Sequence, residues 1–477
     1  MSAEPVLTAA QMRAAEAALI ASGTNVDELM QRAGRGAAEW VWRLSGGRAV
    51  TVLTGPGNNG GDGWVIAEAL RERGGEVAVV MAAEPATESA KHARSLYQGP
   101  VLPPEAEPSA EVLVDCLFGT GLTRPLYGAH RGLLQHLAAR HDKLVAVDLP
   151  SGVEADLGQQ LTPDLPHCDL TIVLGAWKFA HFLMPAAASM GALKLVDIGI
   201  VGVAAAAQMI ATPKFTAPGP QAHKYTRGLL GVVAGVMPGA ALLAAQAAQG
   251  AGAGYVKLLG WRSTGLDPAQ PKSVEVPSVP ADLVVDTQPL VEVLSDDRLV
   301  ALLIGPGLGR DDAARAKLAA VLARPVSAVL DADGLMLLAP HALVDRTAAL
   351  IATPHEGELV ALEHAFGLTS EGSKVARAAA LAQASGMVVV AKGADSVVAA
   401  PDGRIAMAHR ASTWLSTAGS GDVLAGTIAS RLATGAGAFE AACEGLWLHG
   451  QAARLCLPPF TAGQLAQAVR SAYAPCL

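Results

Sequence analysis

A glycine-rich loop in the first half of the chain carries polar side chains that could do chemistry. The loop GPGNNGGDG, residues 55–63, follows the apolar run AVTVLTG and precedes the helical stretch WVIAEALRERGG. Its glycines fit the spacing GxGxxG, which permits a tight turn and a close approach of backbone amides to a phosphate at a helix N-terminus. That spacing alone is a weak signal, because a simple strand–helix turn also contains it. The two asparagines and Asp62 are more specific, since they add amide donors and oxygen ligands that such a turn does not need.

Acidic residues also end two further apolar runs of the first half. Asp115 ends the run VLVDCLFG, and Asp148 and Ser151 follow LVAVDLPSG. A single aspartate at a strand end is about as often a cap or turn residue as a functional one. Three strand ends that meet at one sheet edge, however, form a polar pocket rich in oxygen atoms. Such a pocket suits a hard cation beside a carboxylate that exchanges protons with a substrate.

The second half contains a different glycine-rich segment, STAGSGDVLAG, which predicts the start of a helix at Gly421 and Asp422. With no large side chain in its first turn, this helix directs free amides and its positive dipole end toward an anion such as a transferring phosphoryl group. Asp422 could accept the proton of a substrate hydroxyl that attacks phosphorus. The chain has no GxxxxGK[ST] motif, and His355-Glu356 lacks the second histidine of HExxH. These features favour a ribokinase-like kinase fold over a P-loop or zinc enzyme.

The elements that position these residues are apolar runs that alternate with alanine-rich helical stretches. Uninterrupted apolar runs bounded by helices predict parallel strands covered on both faces. We therefore expect an α/β protein with two doubly wound domains, residues 1–212 and 223–477, joined by a proline-rich linker at 213–222. The runs are AVTVLTG, EVAVVMA, VLVDCLFG, LVAVDLPSG and LTIVLGA in the first half, and LLGVVAG, LVALLIGPG, VSAVLDADG and MVVVAKG in the second.

Composition excludes several function classes. Of 477 residues 51% are apolar and the net charge is −8, with 35 Lys plus Arg against 43 Asp plus Glu, so no broad nucleic-acid surface is expected. The uncharged stretch 228–256 is interrupted by Pro238 and contains Gln246 and Gln249, which favours a strand, a turn and a helix over a membrane span. Five scattered cysteines without a CxxC pair, and no signal peptide, predict a reducing, cytoplasmic setting.

The segments GPGNNGGDG, DCLFGTGL and AVDLPSG, together with LTAAQMRAAE and LMQRAG, resemble the NAD(P)H-hydrate epimerase domain over the whole first half. The resemblance implies a Rossmann-like domain that interconverts the R and S epimers of hydrated NADH and NADPH. It implies proton transfer by Asp148 and a potassium ion held by Asn59, Asp115 and Ser151. Lys178 either reaches the ligand phosphates or is a surface lysine. The hydrate-binding residues that the resemblance implies are Asn58, Asn59, Gly60, Gly61, Asp62, Gly119, Thr120, Gly121, Leu122, Thr123, Arg124, Pro125 and Asp148.

The segments HKYTRGLLGVVAG, MPGAALLAAQAA, IGPGLG, TPHEGE, AKGADSV and TAGSGDVLAG resemble the ADP-dependent NAD(P)H-hydrate dehydratase domain from about His223 to the C-terminus. The resemblance implies a Mg2+-dependent enzyme with ADP as phosphoryl donor and Asp422 as catalytic residue. Hydrate contacts are implied for Ala240, Gly309, His355 and Asp422. Nucleotide contacts are implied for Lys392, Gly393, Ala394, Asp395, Ser396 and Gly421. The stretch HRASTWLS lacks the asparagine common in the family, so we assign no role between His409 and Ser416.

In this order the two domains resemble the bifunctional NAD(P)H-hydrate repair family. We expect the second domain to phosphorylate the ring hydroxyl of the S hydrate and expel phosphate, and the first to supply that epimer. The expected partners are NADHX, NADPHX and ADP or ATP, with no nucleic acid and no membrane, in a homo-oligomer. A ribokinase-like kinase of a small molecule such as a hydroxymethyl pyrimidine, joined to a binding domain, and a first half that serves only as a scaffold remain open alternatives. The sequence leaves open the choice between ADP and ATP and between the two hydrates.

Overall fold

The chain folds into two separate units in a computed structural model that describes residues 4–108, 110–260 and 278–477. The N-terminal unit is Glu4–Met209 and the C-terminal unit begins at Ile210. The whole of the predicted linker 213–222 is therefore part of the C-terminal unit. There the ring of Phe215 stacks on Tyr473 with centroids 4.4 Å apart, and the Arg431 guanidinium lies 4.0 Å from the Phe215 ring.

A parallel, seven-stranded sheet is the centre of the N-terminal unit, which also contains three short strands that pair with one another. Its strands are β1 (Pro5–Leu7), β2 (Val50–Thr54), β3 (Val77–Met81), β4 (Val101–Leu102), β5 (Val112–Cys116), β6 (Lys143–Val147), β7 (Leu170–Leu174), β8 (Trp177–Lys178), β9 (Ala192–Val196) and β10 (Ala207–Met209). Its helices are α1 (Ala9–Ala21), α2 (Val26–Ser45), α3 (Asn58–Glu72), α4 (Glu88–Leu96) and α5 (Gly128–Ala138). The seven-stranded sheet has the order β4-β3-β2-β5-β6-β7-β9, and β1 pairs with β10 and with β8.

Alternate residues of each central strand of the seven-stranded sheet face two separate apolar cores, which explains why these strands are uninterrupted apolar runs. In β5, Val112 and Val114 pack into the core under α2 and α3, while Leu113 packs into the core with α5. The chain winds outward in one direction from β2 and in the other from β5. The two strands are neighbours, so the loops that follow them diverge and leave a crevice at their carboxyl ends.

The C-terminal unit repeats this plan and adds an antiparallel edge. Its strands are β11 (Leu229–Val233), β12 (Tyr255–Leu259), β13 (Val284–Asp286), β14 (Leu299–Ile304), β15 (Ser327–Leu330), β16 (Leu350–Ala352), β17 (Val388–Ala391), β18 (Val397–Ala399) and β19 (Ile405–Met407). Its helices are α6 (Pro238–Gly250), α7 (Leu290–Val293), α8 (Asp312–Leu322), α9 (Asp333–Met336), α10 (Glu356–Ala365), α11 (Lys374–Ser385), α12 (Ser420–Ala433), α13 (Ala438–Leu455) and α14 (Ala462–Tyr473). The order is β13-β12-β11-β14-β15-β16-β17-β18-β19, parallel as far as β17 and antiparallel beyond it.

The predicted fold class, α/β with two doubly wound sheets, is confirmed, and every apolar run that the sequence marks as a strand contains one. The uncharged stretch 228–256 contains β11, α6 and the start of β12. Among the described residues, no helix combines the length and the apolar character needed to cross a bilayer.

Candidate active sites

The crevice of the N-terminal unit is a cavity of about 690 Å³ that we call the N-terminal cavity. It opens at the carboxyl ends of β2, β5, β6 and β7. The predicted residues that line it are Asn58, Asn59, Asp62, Gly119–Arg124 and Asp148. Gly60, Gly61 and Pro125 do not line it. Helix α1, which the sequence did not single out for a contact, supplies a further wall with Met12, Arg13 and Glu16.

Two glycines of the loop 55–63 are required by close backbone packing beside the cavity. A Cβ on Gly55 would lie 1.9 Å from the carbonyl oxygen of Leu117, in the loop after β5. A Cβ on Gly60 would lie 2.0 Å from the carbonyl oxygen of Gly55. Only glycine therefore allows the two loops to approach so closely and α3 to begin at the cavity, with Asn59 and Asp62 on its wall.

Asp148 is the most firmly held carboxylate of the N-terminal cavity. Lys178 Nζ lies 2.5 Å from Asp148 Oδ1 and 2.7 Å from the carbonyl oxygen of Leu174. Thr120 donates to Asp148 Oδ2 from its hydroxyl and from its backbone amide. Lys178 is only 1% exposed, so it is not a surface lysine and its ammonium group is committed to Asp148.

His181 fixes the backbone of the same aspartate, which has a left-handed φ of 65°. Its Nδ1 accepts a hydrogen bond from the Lys178 amide at 2.9 Å, so its Nε2 carries the proton and donates it to the Asp148 carbonyl oxygen at 2.8 Å. Burial and the nearby Lys178 ammonium lower the pKa of His181 to about 4. His181 is therefore a neutral positioning group at neutral pH.

The two buried aspartates of the N-terminal cavity have opposite pKa shifts. Burial opposes ionisation of Asp148, but the charge and hydrogen bond of Lys178 and the Thr120 hydroxyl together lower its pKa below the ordinary value. Burial and then the charges of Asp148 and Glu16 raise the pKa of Asp62 well above its ordinary value. One cavity thus holds a carboxyl group with a lowered pKa beside one with a raised pKa, which is the arrangement that acid–base catalysis uses.

Two of the three predicted cation ligands lie together behind this cavity. The Ser151 hydroxyl lies 2.7 Å from Asp115 Oδ1, and the Ser151 amide donates to Asp115 Oδ2 at 2.9 Å. Both residues are 1% exposed. In the described part of the chain, Asn59, the third predicted ligand, forms no hydrogen bond with either of them, and its buried Nδ2 lacks a hydrogen-bond partner.

The C-terminal unit has a cavity of about 620 Å³, the C-terminal cavity, where the segment after β17 faces the start of α12. The predicted residues that line it are His355, Lys392, Gly393, Ala394, Ser396 and Gly421. Its wall also includes residues to which the sequence assigned no role, namely His409, Ala411, Ser412, Thr413, Leu415 and Ser416. This stretch directly precedes α12, whose start the sequence predicts to bind an anion. That position was the signal that could have identified these residues.

Lys392 is the centre of a charged network beside this cavity. Its Nζ lies 2.6 Å from Asp331 Oδ1 and 3.8 Å from Glu358 Oε2. Asp331 also accepts a hydrogen bond from the Thr353 hydroxyl at 2.7 Å. Burial opposes the charge on Lys392, but the two carboxylates raise its pKa above the ordinary value. Asp331 and Glu358 are thus site residues that sequence reasoning missed.

Asp422 lies in the first turn of α12, close to this network. A Cβ on the neighbouring Gly421 would be 3.6 Å from Lys392 Nζ. Burial and the charge of Asp331 raise the pKa of Asp422 to about 6, against the opposing effect of Lys392. Asp422 is therefore a stronger base than an ordinary aspartate and is still ionised at neutral pH.

The remaining predicted residues lie outside the lining of the C-terminal cavity. Ala240 lies in the first turn of α6, and Gly309 lies in the loop after β14. A Cβ on Gly307 of that loop would lie 3.1 Å from the Ala240 Cβ. The carboxylate of Asp395 pairs with the Lys374 ammonium group. The structure therefore brings five of the six predicted nucleotide residues together with His355, while Asp395, Ala240 and Gly309 lie outside that lining.

Comparison with known proteins covers both units. A family model described as YjeF-related protein N-terminus matches residues 26–180, and one described as NAD(P)H-hydrate dehydratase matches residues 230–474. The chain is similar to the bifunctional NAD(P)H-hydrate repair enzyme Nnr of Mycobacterium tuberculosis (strain ATCC 25618 / H37Rv), with 33% identity over 446 residues, 90% of this chain and 89% of that protein. Identity is also 33% to the enzyme of that name from Mycobacterium leprae, over 94% of this chain and 93% of that protein. The corresponding protein of Salinibacter ruber is 33% identical and covers 94% and 91%.

The buried Asp148–Lys178 pair predicts a large loss of stability when only one partner is removed. We expect Lys178→Met to lower the free energy of unfolding of the N-terminal unit by about 3–5 kcal/mol, because it leaves a buried carboxylate without its counter-charge. The double variant Lys178→Met/Asp148→Asn should be less destabilised, since no unpaired charge remains. Urea unfolding measures both.

A matched control is Lys91→Met, which removes an exposed ion pair with Glu88. We expect that variant to change the free energy of unfolding by less than about 1 kcal/mol. A Lys178→Met protein as stable as the Lys91→Met protein would contradict the buried pair.

Proposed function

Since the chain belongs to the family of bifunctional NAD(P)H-hydrate repair enzymes, we propose which residues carry its two reactions. The protein is an NAD(P)H-hydrate epimerase and dehydratase. The observation that carries the assignment is that the two family models match in order, one within each unit, and each unit has a cavity at the carboxyl ends of its parallel strands. We assign epimerisation to residues 1–212 and dehydration to 223–477, with 213–222 between them.

In the epimerase site, Asp148 is the base and Asp62 the acid. The hydrate carries its hydroxyl on a ring carbon bonded to the ring nitrogen, and the epimers differ at that carbon. Inversion proceeds when the C–O bond breaks with push from the nitrogen lone pair and water adds to the opposite face. Neutral Asp62 donates a proton to the departing hydroxyl, and charged Asp148 takes one from the incoming water. The residues proposed to bind the hydrate are Asn58, Asn59, Gly60, Gly61 and the loop 119–125.

The donor set behind the epimerase site fits a potassium ion. Asp115 and Ser151 offer a carboxylate and a hydroxyl, with the Phe118 carbonyl oxygen 3.1 Å from the Ser151 hydroxyl, and these hard oxygens suit an alkali cation. Asn59 would add its amide oxygen. When bound, the ion would offset the phosphate charge of the substrate and hold the loops after β5 and β6 together. The choice of potassium rests on the family resemblance.

In the dehydratase site, Asp422 takes the proton of the ring hydroxyl as that oxygen attacks phosphorus. The free amides at the start of α12 and the Lys392 ammonium offset the charge of the transferring phosphoryl group. The ring C–O bond of the resulting phosphate ester then breaks with push from the ring nitrogen, phosphate leaves, and the ring loses a proton to restore its double bond. Residues 392–396 and Gly421 bind ADP, the proposed donor.

Hydrate contacts are proposed for Ala240, Gly309 and His355. Among the described residues no three His, Cys, Asp or Glu side chains form a metal-binding group. Mg2+ usually binds one or two carboxylates together with substrate phosphates, and Asp331 and Glu358 would supply those oxygens. The free cysteines of the described chain fit the reducing cytoplasm that we propose as its location, and a homo-oligomer is our proposal for its assembly.

Single variants should separate the two activities. Asp148→Asn should slow the loss of the R hydrate roughly 10²–10⁴-fold and leave the ADP-dependent recovery of NADH from the S hydrate unchanged. Asp422→Asn should do the reverse, because each change removes one base and preserves size. Absorbance of NADH follows dehydration, and chromatography follows the epimers. Parallel loss of both activities in either variant would contradict the division between the two units.

Dehydration should depend on pH through Asp422, whose pKa is about 6. The base must be ionised, so kcat/KM for the S hydrate should fall about tenfold for each pH unit below that pKa and be flat above it. Asp331→Asn should move the inflection to lower pH, because it removes the like charge beside Asp422. Asp402→Asn, at an exposed turn, is the control that should leave the inflection in place. A flat profile through pH 6 would exclude Asp422 as the base.

Potassium should stabilise the N-terminal unit selectively. Ion binding to the folded state raises its stability by RT ln(1 + [L]/Kd), about 2.7 kcal/mol at a concentration of 100 Kd. The melting temperature should therefore be higher in KCl than in LiCl of equal ionic strength. Asp115→Ala and Ser151→Ala should abolish this difference, whereas the exposed Asp142→Ala should keep it. An equal melting temperature in both salts for the unaltered protein would overturn the potassium site.

A further inference from the structure

One wall of the N-terminal cavity comes from α1, which precedes the region that the family model matches. The helix is fixed at its start, because Thr8 caps it reciprocally with Gln11 and the Ala9 amide donates to Asp156 Oδ1 at 2.7 Å. Arg13 and Glu16 of α1 reach the cavity. The helix therefore presents a carboxyl group to the epimerase site from a defined position.

Glu16 lies in an electrostatically unfavourable place. Within the described part of the chain it makes no hydrogen bond or ion pair, although it is partly buried. The titratable groups that face it are the carboxyl groups of Asp148 and Asp62 and the cations Lys178 and Arg13. Burial and the charge of Asp148 raise the pKa of Glu16. A half-buried acid that gains no partner costs free energy, which is typical of groups kept for function.

The proposed inversion leaves Asp62 and Asp148 in exchanged protonation states. After the R hydrate becomes the S hydrate, Asp62 is charged and Asp148 is protonated. That state suits only the reverse inversion. Continuous conversion in one direction, which the dehydratase demands by removing the S hydrate, requires that the pair be reset. Asp62 and Asp148 are only 9% and 8% exposed, so bulk water reaches them poorly even when the cavity holds no substrate.

We propose that Glu16 resets the pair by relaying a proton from Asp148 to Asp62. The protonated Glu16 carboxyl gives its proton to the Asp62 carboxylate, and the resulting Glu16 carboxylate takes the proton of Asp148, directly or through water. No bond to carbon changes and no electron moves in this step. Glu16 suits the task because it lines the same cavity, interacts electrostatically with both aspartates, and is more exposed than either.

The proposal rests on the proposed function and predicts a specific kinetic signature. Resetting occurs after product leaves, so its loss should limit kcat but not kcat/KM, which covers only the steps through inversion. Glu16→Gln should lower kcat for net R-hydrate conversion about tenfold or more, with kcat/KM within about twofold of the unaltered protein. Imidazole buffer, a small proton carrier, should restore kcat in a concentration-dependent way, and Glu16→Asp should retain part of the activity.

The experiment uses the full chain with R hydrate, ADP and Mg2+, and an excess of the Asp148→Asn protein drains the S hydrate. Glu28→Gln, which removes an exposed ion pair with Arg32 on α2, is the control and should match the unaltered protein in every parameter. Thermal unfolding of Glu16→Gln should show an unchanged melting temperature, because within the described chain Glu16 makes no hydrogen bond or ion pair that the substitution would remove. A parallel fall in kcat/KM, or a kcat that neither falls nor responds to imidazole, would overturn the proposal. Full epimerase activity in Asp148→Asn would instead overturn the proposed function.

Discussion

Parallel strands all end at the same edge of their sheet, and this constraint places nearly every functional group of the protein. In the C-terminal unit, Asp331, Thr353 and Lys392 are the residues directly after β15, β16 and β17. Because these strands are neighbours, three positions scattered over 61 residues of sequence become one hydrogen-bonded network. In the N-terminal unit Asp148 follows β6 in the same way. Side chains at those positions need no long loops to meet, so the sites are rigid extensions of the sheets.

A second constraint follows, since loops that meet at one edge have little room. Gly305 illustrates it: its φ is 129°, and a Cβ there would lie 1.7 Å from the carbonyl oxygen of Asp331. The glycine lets the loop after β14 pass over the end of β15 without displacing the aspartate that holds Lys392. The glycine-rich motifs are therefore in part a packing requirement of the loops at the carboxyl ends of the strands. This explains why the motifs are distinctive in the sequence although not all of their residues line a cavity.

The sequence was sufficient to predict those features that depend on residues close together in the chain. Apolar runs predicted the strands, and residues just after them, such as Asp148 and Lys392, lie where parallel topology puts them. It was insufficient where a partner comes from elsewhere in the chain. Nothing near Lys178 in the sequence indicates that its ammonium group pairs with Asp148, thirty residues earlier. Nothing in the pattern of apolar and polar residues of α1 indicates that Glu16 faces the N-terminal cavity. Those contacts depend on tertiary packing, which local patterns do not encode.

The two proposed bases show how one residue type receives two chemical characters from its neighbours. Both Asp148 and Asp422 are partly or wholly buried, which alone raises a carboxyl pKa. In the N-terminal unit the buried Lys178 pairs with the proposed base itself, which lowers the pKa of Asp148, whereas the pKa of the neighbouring Asp62, the proposed acid, is raised. In the C-terminal unit Lys392 forms its ion pair with Asp331 rather than with the proposed base, and the pKa of Asp422 is about 6. An epimerase must hold an acid and a base together, whereas phosphoryl transfer to a ring hydroxyl needs a base that releases its proton readily at neutral pH. The choice of carboxylate that each lysine contacts therefore sets the acid–base character of each site.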